Sequence, residues 1–211
     1  MFDVLLIGGG VSAMSCAMVL GSAKNKPFVI DKKIGIIVHQ KNSSLQEAVF
    51  NNAYGIAPGK LGSELLTESI EHLSATYPHI TQILSEKVLQ VEGEFTSSIR
   101  PSSSCPEFKV TTNKNTYKTK IIVVGIGAAN TFAIEGLMHY LESHKKSLPE
   151  KKRIQLINID HKVDEGIYVI GTLAGWRSQL AIAAGSGASV ATDILTLWNN
   201  GIQTHAHDTI R

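Results

Sequence analysis

The chain opens on a wholly apolar run, Val4-Leu5-Leu6-Ile7, with no polar position alternating through it. A strand without alternation is one covered on both faces, as in a parallel sheet. Gly8-Gly9-Gly10 follows at once. Val11 to Leu20, rich in small and straight-chain residues, then predicts a buried helix. Pro27-Phe28-Val29-Ile30 reads as a second strand, ended by Asp31. Leu66, Ile70 and Leu73 recur at helical spacing and read as core. The period then shortens. Val88-Leu89-Gln90-Val91, Phe108 to Thr112 and Tyr117 to Val124 read as strands, with Asn113-Lys114-Asn115 as the turn between the last two. Glu94 to Pro106, rich in serine with two prolines, reads as a loop, and a short helix is expected around Thr131 to Ser143. These elements predict an α/β fold: a parallel βαβ sheet with a three-stranded antiparallel meander.

Composition narrows the function classes. The 211 residues are 43% hydrophobic and 18% charged, which excludes a disordered, collagenous or disulfide-scaffold chain. A net charge of +2 sets up no broad cationic field, so no nucleic-acid partner is expected. Cys16 and Cys105 are far apart and form no CxxC or zinc-ligand spacing. Cys16 falls on the buried face of the first helix and reads as inert; Cys105, in the loop, reads as exposed. No basic stretch precedes the first apolar run, and no segment reads as a membrane span, so no membrane partner and a cytoplasmic location are expected. His205-Ala206-His207-Asp208 reads as a polar tail, and no metal site is expected.

Gly8, Gly10 and Ala13 stand at the marked positions of G-x-G-x-x-G/A, directly between a strand and a helix. Gly8 permits the tight turn, Gly10 lets a pyrophosphate approach the backbone, and Ala13 lets the helix pack closely. Gly9, Val11 and Ser12 complete the turn, where the free N–H groups and positive end of the helix favour phosphate. The fingerprint also expects an acid about 20 residues on, at the end of the second strand, to accept from a ribose. Asp31, followed by Lys32, is the candidate. The alternative is a glycine-rich turn that binds nothing.

At four places the chain resembles the thioredoxin-reductase-like, FAD-dependent pyridine nucleotide–disulfide oxidoreductases. The first is Ile7 to Ala13 with Asp31. The second is Asn52-Ala53-Tyr54-Gly55 with Gly62-Ser63-Glu64-Leu65-Leu66, similar to the family's Asn-Pro-Gly turn and its G-x-E-L helix start. The third is Thr119 to Ala128, ending in Gly125-Ile126-Gly127-Ala128 where the family has A-T-G-A. The fourth is Gly166 to Thr172 with Ser178 to Gly187, similar to the closing G-I-(F/Y)-x-x-G-D segment and its helix.

The resemblance implies a Rossmann-like FAD-binding domain. It places Asn52 at the flavin (a turn asparagine being the alternative), the ribityl chain over Gly171-Thr172 and the Val88 backbone at the adenine, with Gly125 and Gly127 preserving the backbone approach of the family's A-T-G. It also sets Gln179 and Leu180, at the start of the last helix, at the pyrimidine edge of the isoalloxazine. Thr172 departs from the family's aspartate and offers a hydroxyl in place of a charged acceptor. Trp176 and Arg177 precede the last helix and would either stack on or charge-balance a flavin, or simply cap the loop.

In the family a second Rossmann domain, carrying the NADPH site and the CxxC pair, sits between the third and fourth places. Here only about 40 residues separate Gly127 from Gly171, while such a domain needs on the order of 100. The expected organisation is therefore one FAD-binding domain over 1–211. Residues 1–130 and 155–198 form its core, 131–154 a connector, and 199–211 a tail. The stretch from His144 to Arg153 is basic and reads as a solvated part of that connector, with an acidic docking partner as the alternative. The expected function is a flavoprotein with no dithiol and no nominated catalytic acid, base or nucleophile. Its exposed flavin would be covered by a second copy or a redox partner protein. The alternative is a non-catalytic flavin- or nucleotide-binding module.

Overall fold

The computed structural model describes residues 1–40, 43, 45–93 and 107–207. The loop at 94–106 with Cys105, and Asp208, lie outside the described residues. The chain runs β1 (Val4–Ile7), α1 (Val11–Ser22), β2 (Ile34–Val38), a β3–β4 hairpin (Val49–Phe50, Lys60–Leu61), α2 (Gly62–Thr76) and β5 (Thr81–Leu84). A meander follows: β6 (Val88–Glu92), β7 (Phe108–Thr112) and β8 (Thr116–Thr119). Then come β9 (Ile122–Val124), a β10–β11 ladder (Leu141–Ser143, Ile154–Leu156), β12 (Lys162–Asp164), β13 (Ile167–Val169) and α3 (Leu180–Trp198).

The main sheet has the order β12-β13-β9-β1-β2-β5, parallel throughout except at the β12 edge. The apolar strands serve two cores. Val4, Leu6, Ile34, Ile36 and Val123 face the helices, against Ala17, Leu20, Val190 and Ile194. Leu5, Ile7, Ile37, Val124 and Val169 face the meander, against Val91, Phe108 and Val110. Burial on both faces is why these strands show no polar alternation. The α/β class and the three-stranded antiparallel β6-β7-β8 sheet agree with the sequence reading.

Three elements differ from it. Residues 27–31 form successive turns, with Val29 N–H donating to Lys26 O and Lys32 N–H to Val29 O. The second strand is Ile34–Val38, every residue of it buried. Its Gly35, poor in strand propensity, sits where a Cβ would come within 2.7 Å of the Phe2 ring, so packing and not propensity selects it. Tyr117 to Val124 is two strands in two sheets. The chain leaves the meander after Thr119 and enters the parallel sheet at Ile122. Thr131 to Ser143 holds no α-helix; Glu135 hydrogen-bonds β6 through Leu89 O and Val91 N–H, Gly136 takes φ +89°, and Leu137 enters the meander core.

α3 runs 19 residues with one charge, Asp193, and is by length and composition long and apolar enough to cross a membrane, contrary to the expectation that no segment is. In this fold it packs on α1. Ser15 Oγ donates to Ala184 O at 2.9 Å, and a Cβ at Gly187 would lie 1.9 Å from Ser12 O. Cys16, fully buried in this contact, has its thiol pKa pushed up by burial, which leaves it a packing group.

Gly187→Ala should therefore push α3 off α1 and destabilise the protein by about 3 kcal/mol, the upper end of the overpacking range. Urea unfolding measures it, and a loss under about 0.5 kcal/mol would show that the helices do not meet this closely.

Glu86 ties the start of the meander, accepting from Thr112 Oγ1 at 2.6 Å, Asn115 Nδ2 at 2.8 Å and Tyr117 Oη at 3.1 Å. Burial pushes its carboxyl pKa up, but these donors outweigh burial and hold it below the usual value. A depressed folded pKa contributes stability above the unfolded value of about 4.3 and loses it as pH falls through the folded one. Stability should drop below that pH, and Glu86→Gln should flatten the drop in melting temperature measured between neutral pH and pH 3.

Candidate nucleotide-binding site

Three parallel strands, β9, β1 and β13, end side by side, and the first turn of α1 is set among their ends. Gly8 N–H donates to Ile37 O, Gly125 N–H to Ile7 O and Ile170 N–H to Val124 O, all at 2.8–2.9 Å. This lacing brings the loops close enough to exclude side chains. Gly8 has φ +130°, and a Cβ there would lie 2.3 Å from Gly125 O. Gly171 has φ +68°, and its Cβ would lie 2.8 Å from Ser12 Oγ. Ser12 is buried in this junction and Ala13 beneath it.

Gly10 caps α1 in extended conformation, and no side chain caps the helix. A Cβ on Gly10 would meet nothing within 4 Å, and the same holds at Gly127, after β9. The first-turn N–H groups of Val11, Ser12 and Ala13 thus sit at the positive end of an uncapped helix, with open space over Gly10. Thr172 follows Gly171 on a short 3-10 turn and is half-buried. Gln179 caps α3 without a side-chain bond, and Leu180 begins it.

Asp31 and Lys32 are elsewhere. β1 and β2 are parallel, starting together at Val4↔Ile34, so residues just before Ile34 lie at the edge where the strands begin. The glycine turn is at the edge where they end. Lys32 Nζ stands 5.6 Å from the Trp198 ring, at the C-terminal end of α3. The ribose assignment of Asp31 fails because the strand it was taken to end is a turn.

The position after β2 belongs to His39 and Gln40, which the sequence reading missed. Gln40 Nε2 donates to Gly9 O at 2.7 Å, and a Cβ on Gly9 would meet Gln40 Cγ at 2.8 Å. The apolar run Ile34 to Val38 followed by polar residues was the available signal. Asn52 is exposed on the β3–β4 turn, where Asn51 Oδ1 accepts the Gly59 N–H. Val88, 6% exposed, begins β6 opposite Thr112 in the meander core.

No family model and no curated protein matches the sequence. Solved structures do. An oxidoreductase from Agrobacterium tumefaciens superposes with TM-score 0.68 at 12% identity, over 93% of this chain and 98% of that one. A thioredoxin reductase from Gloeobacter violaceus gives 0.68 at 12%, over 100% and 99%. A ferredoxin-flavin thioredoxin reductase from Clostridium acetobutylicum gives 0.61 at 16%, over 94% and 98%. The chain has the thioredoxin-reductase-like fold. At this identity the likeness is one of fold, and it matches the architecture expected from the four motifs.

Gln40→Glu should destabilise this thioredoxin-reductase-like domain by about 1–3 kcal/mol, because a carboxylate cannot donate to Gly9 O and would face it unpaired. Denaturant titration at pH 7 reads the loss, and an unchanged midpoint would show the 2.7 Å bond to be dispensable.

Proposed function

We propose that this chain is a single-domain flavoprotein of the thioredoxin-reductase-like kind, binding FAD non-covalently. The observation that carries the reading is the α1 cradle: an uncapped helix N-terminus, open over Gly10, at the meeting of three parallel strand ends. Ligands in such sheets bind beyond the carboxyl ends of the strands. Gly8 to Ala13 would hold the pyrophosphate; Gly125, Gly127, Gly171 and Thr172 would run along the ribityl chain and flavin. The N–H groups at Gln179 and Leu180 would face the pyrimidine edge, where a helix N-terminus favours negative charge. Bound flavin supplies reversible electron transfer, and the protein supplies position and electrostatics.

The polar contacts on offer are neutral. Thr172 gives a hydroxyl and Gln40 an amide, so both lack the strength of a charge-assisted bond. The set fits FAD at the phosphates and holds it less strongly at the sugars. Oxidised flavin absorbs near ~450 nm, and bleaching of that band by NADH or NADPH would mark turnover. A bound flavin that neither cofactor reduces would instead favour the non-catalytic module. An electron donor then has to come from a partner protein, and a second copy or that partner would cover the open flavin face.

Gly10→Val tests the cradle. Its φ of −85° accepts an L residue and its Cβ meets nothing, so the fold should lose no more than about 1 kcal/mol, the difference between glycine and valine as a cap. FAD affinity, followed by fluorescence quenching, should fall below detection because the side chain fills the phosphate space. Full retention of FAD by the folded variant would move the phosphate site elsewhere.

A further inference from the structure

The β10–β11 ladder pairs Leu141 with Leu156 and Ser143 with Ile154, and residues 144–153 form its tip. This tip folds against residues 176–179, ahead of α3, and the two enclose a cleft of about 230 Å³. Lys146, Lys151, Arg153 and Arg177 line it, and no carboxylate does among the described residues. None of the four takes part in an ion pair there. The nearby acid Glu142 is engaged by Lys145 Nζ at 2.8 Å and by Gln155 Nε2 at 2.8 Å.

Two further lining groups lack an acceptor. His144, 7% exposed, has Nδ1 accepting the Lys146 N–H at 3.1 Å, which places the proton of a neutral ring on Nε2. Nε2 is buried with no partner, and so is the Ser147 hydroxyl. Buried donors are almost always satisfied in folded proteins, and each exception calls for a cause. Here two residues of the cleft lining carry buried, unpartnered donor atoms beside four cations that form no ion pair. The wall is itself held in place: His144 N–H donates to Arg153 O, and Lys145 N–H to Gln155 Oε1 at 3.0 Å. Trp176 completes it, with Lys146 Nζ 4.5 Å from its ring centroid and the His161 ring stacked at 5.9 Å.

We propose that this cleft binds a phosphate dianion, with His144 Nε2 and Ser147 Oγ as buried donors and Arg153, Arg177, Lys146 and Lys151 as the surrounding charge. Guanidinium forks suit phosphate oxygens, and a dianion balances the excess of cations. The volume is below the range for drug-sized ligands, so it takes a phosphate group and not a whole dinucleotide. Trp176 already bears Lys146 and His161 and acts as a wall, not as a stacking platform for a base. The site does not rest on the flavin reading, but the cleft adjoins the proposed flavin site through Trp176, Arg177 and Gln179.

Calorimetric titration of the full chain with inorganic phosphate and, separately, with glycerol 3-phosphate tests this at low salt. Saturable binding of one equivalent is expected. Arg153→Gln and Arg177→Gln should each weaken it about tenfold or more, as the loss of a charge-assisted bond requires. Lys24→Gln, a cation outside the cleft, should change it less than about twofold. Tighter binding of the organic phosphate would identify a phosphomonoester as the occupant, and equal binding free phosphate. His144→Phe should abolish binding; if that variant fails to fold, the two arginine variants decide. No saturation at millimolar phosphate, or an equal loss from Lys24→Gln, would overturn the proposal.

Discussion

Ser12 is the point on which the rest of the structure turns. Its carbonyl faces Gly187 of α3, and its hydroxyl fills the gap between Gly125 and Gly171, the residues that follow β9 and β13. Two of those contacts leave no room for a side chain. A Cβ would fall 1.9 Å from the Ser12 carbonyl oxygen at Gly187 and 2.8 Å from the hydroxyl at Gly171. Close-packed interiors do not absorb overlaps of that size locally, so these glycines set the distance between α1, α3 and the strand ends together. Because they do, the first turn of α1 arrives uncapped at the edge of the sheet, with its N–H groups turned to open space above Gly10.

The same edge holds the positive ends of two helices. Both α1 and α3 begin there, and neither is capped by a side chain or carries an acid in its first turn. Side-chain charge is added at the β10–β11 tip, where Lys146, Lys151, Arg153 and Arg177 line the cleft beside Trp176. The opposite edge differs. There Asp3 bonds the Lys33 N–H and pairs with Lys120, and its carboxyl pKa falls because these partners outweigh burial. The two uncapped helix starts thus lie at the edge where the parallel strands end, which is where an α/β sheet has its crevice.

The connector between the two halves of the core is also explained by packing. Residues 132–137 lie under the meander and pair with β6, and β10–β11 then forms a short antiparallel ladder. A loop closes that ladder directly, so the chain returns to β13 and α3 without a second domain between them. The helix that follows is apolar enough for a membrane, yet its small residues let it approach α1 at backbone distance. The face it buries there is Ser186, Gly187, Val190, Ala191, Ile194 and Leu195.

Burial was legible along the chain, because a strand covered on both faces must be apolar throughout and a turn packed this closely on its neighbour's backbone must be glycine. Val4–Ile7, the G-x-G-x-x-A turn and the meander strands follow from those local requirements. What the sequence left open was which segment meets which. Pro27–Ile30 and Ile34–Val38 are both apolar, and pairing with β1 on one side and β5 on the other goes to the second. That choice put the end of β2 at Val38, beside His39 and Gln40, and left Asp31 at the opposite edge. Tyr117 to Val124 has one period, but two sheets divide it. The unpartnered His144 Nε2 has no local signature at all. Each depends on contacts between residues distant in sequence, and a pattern of hydrophobicity records that a side chain is buried without recording against what.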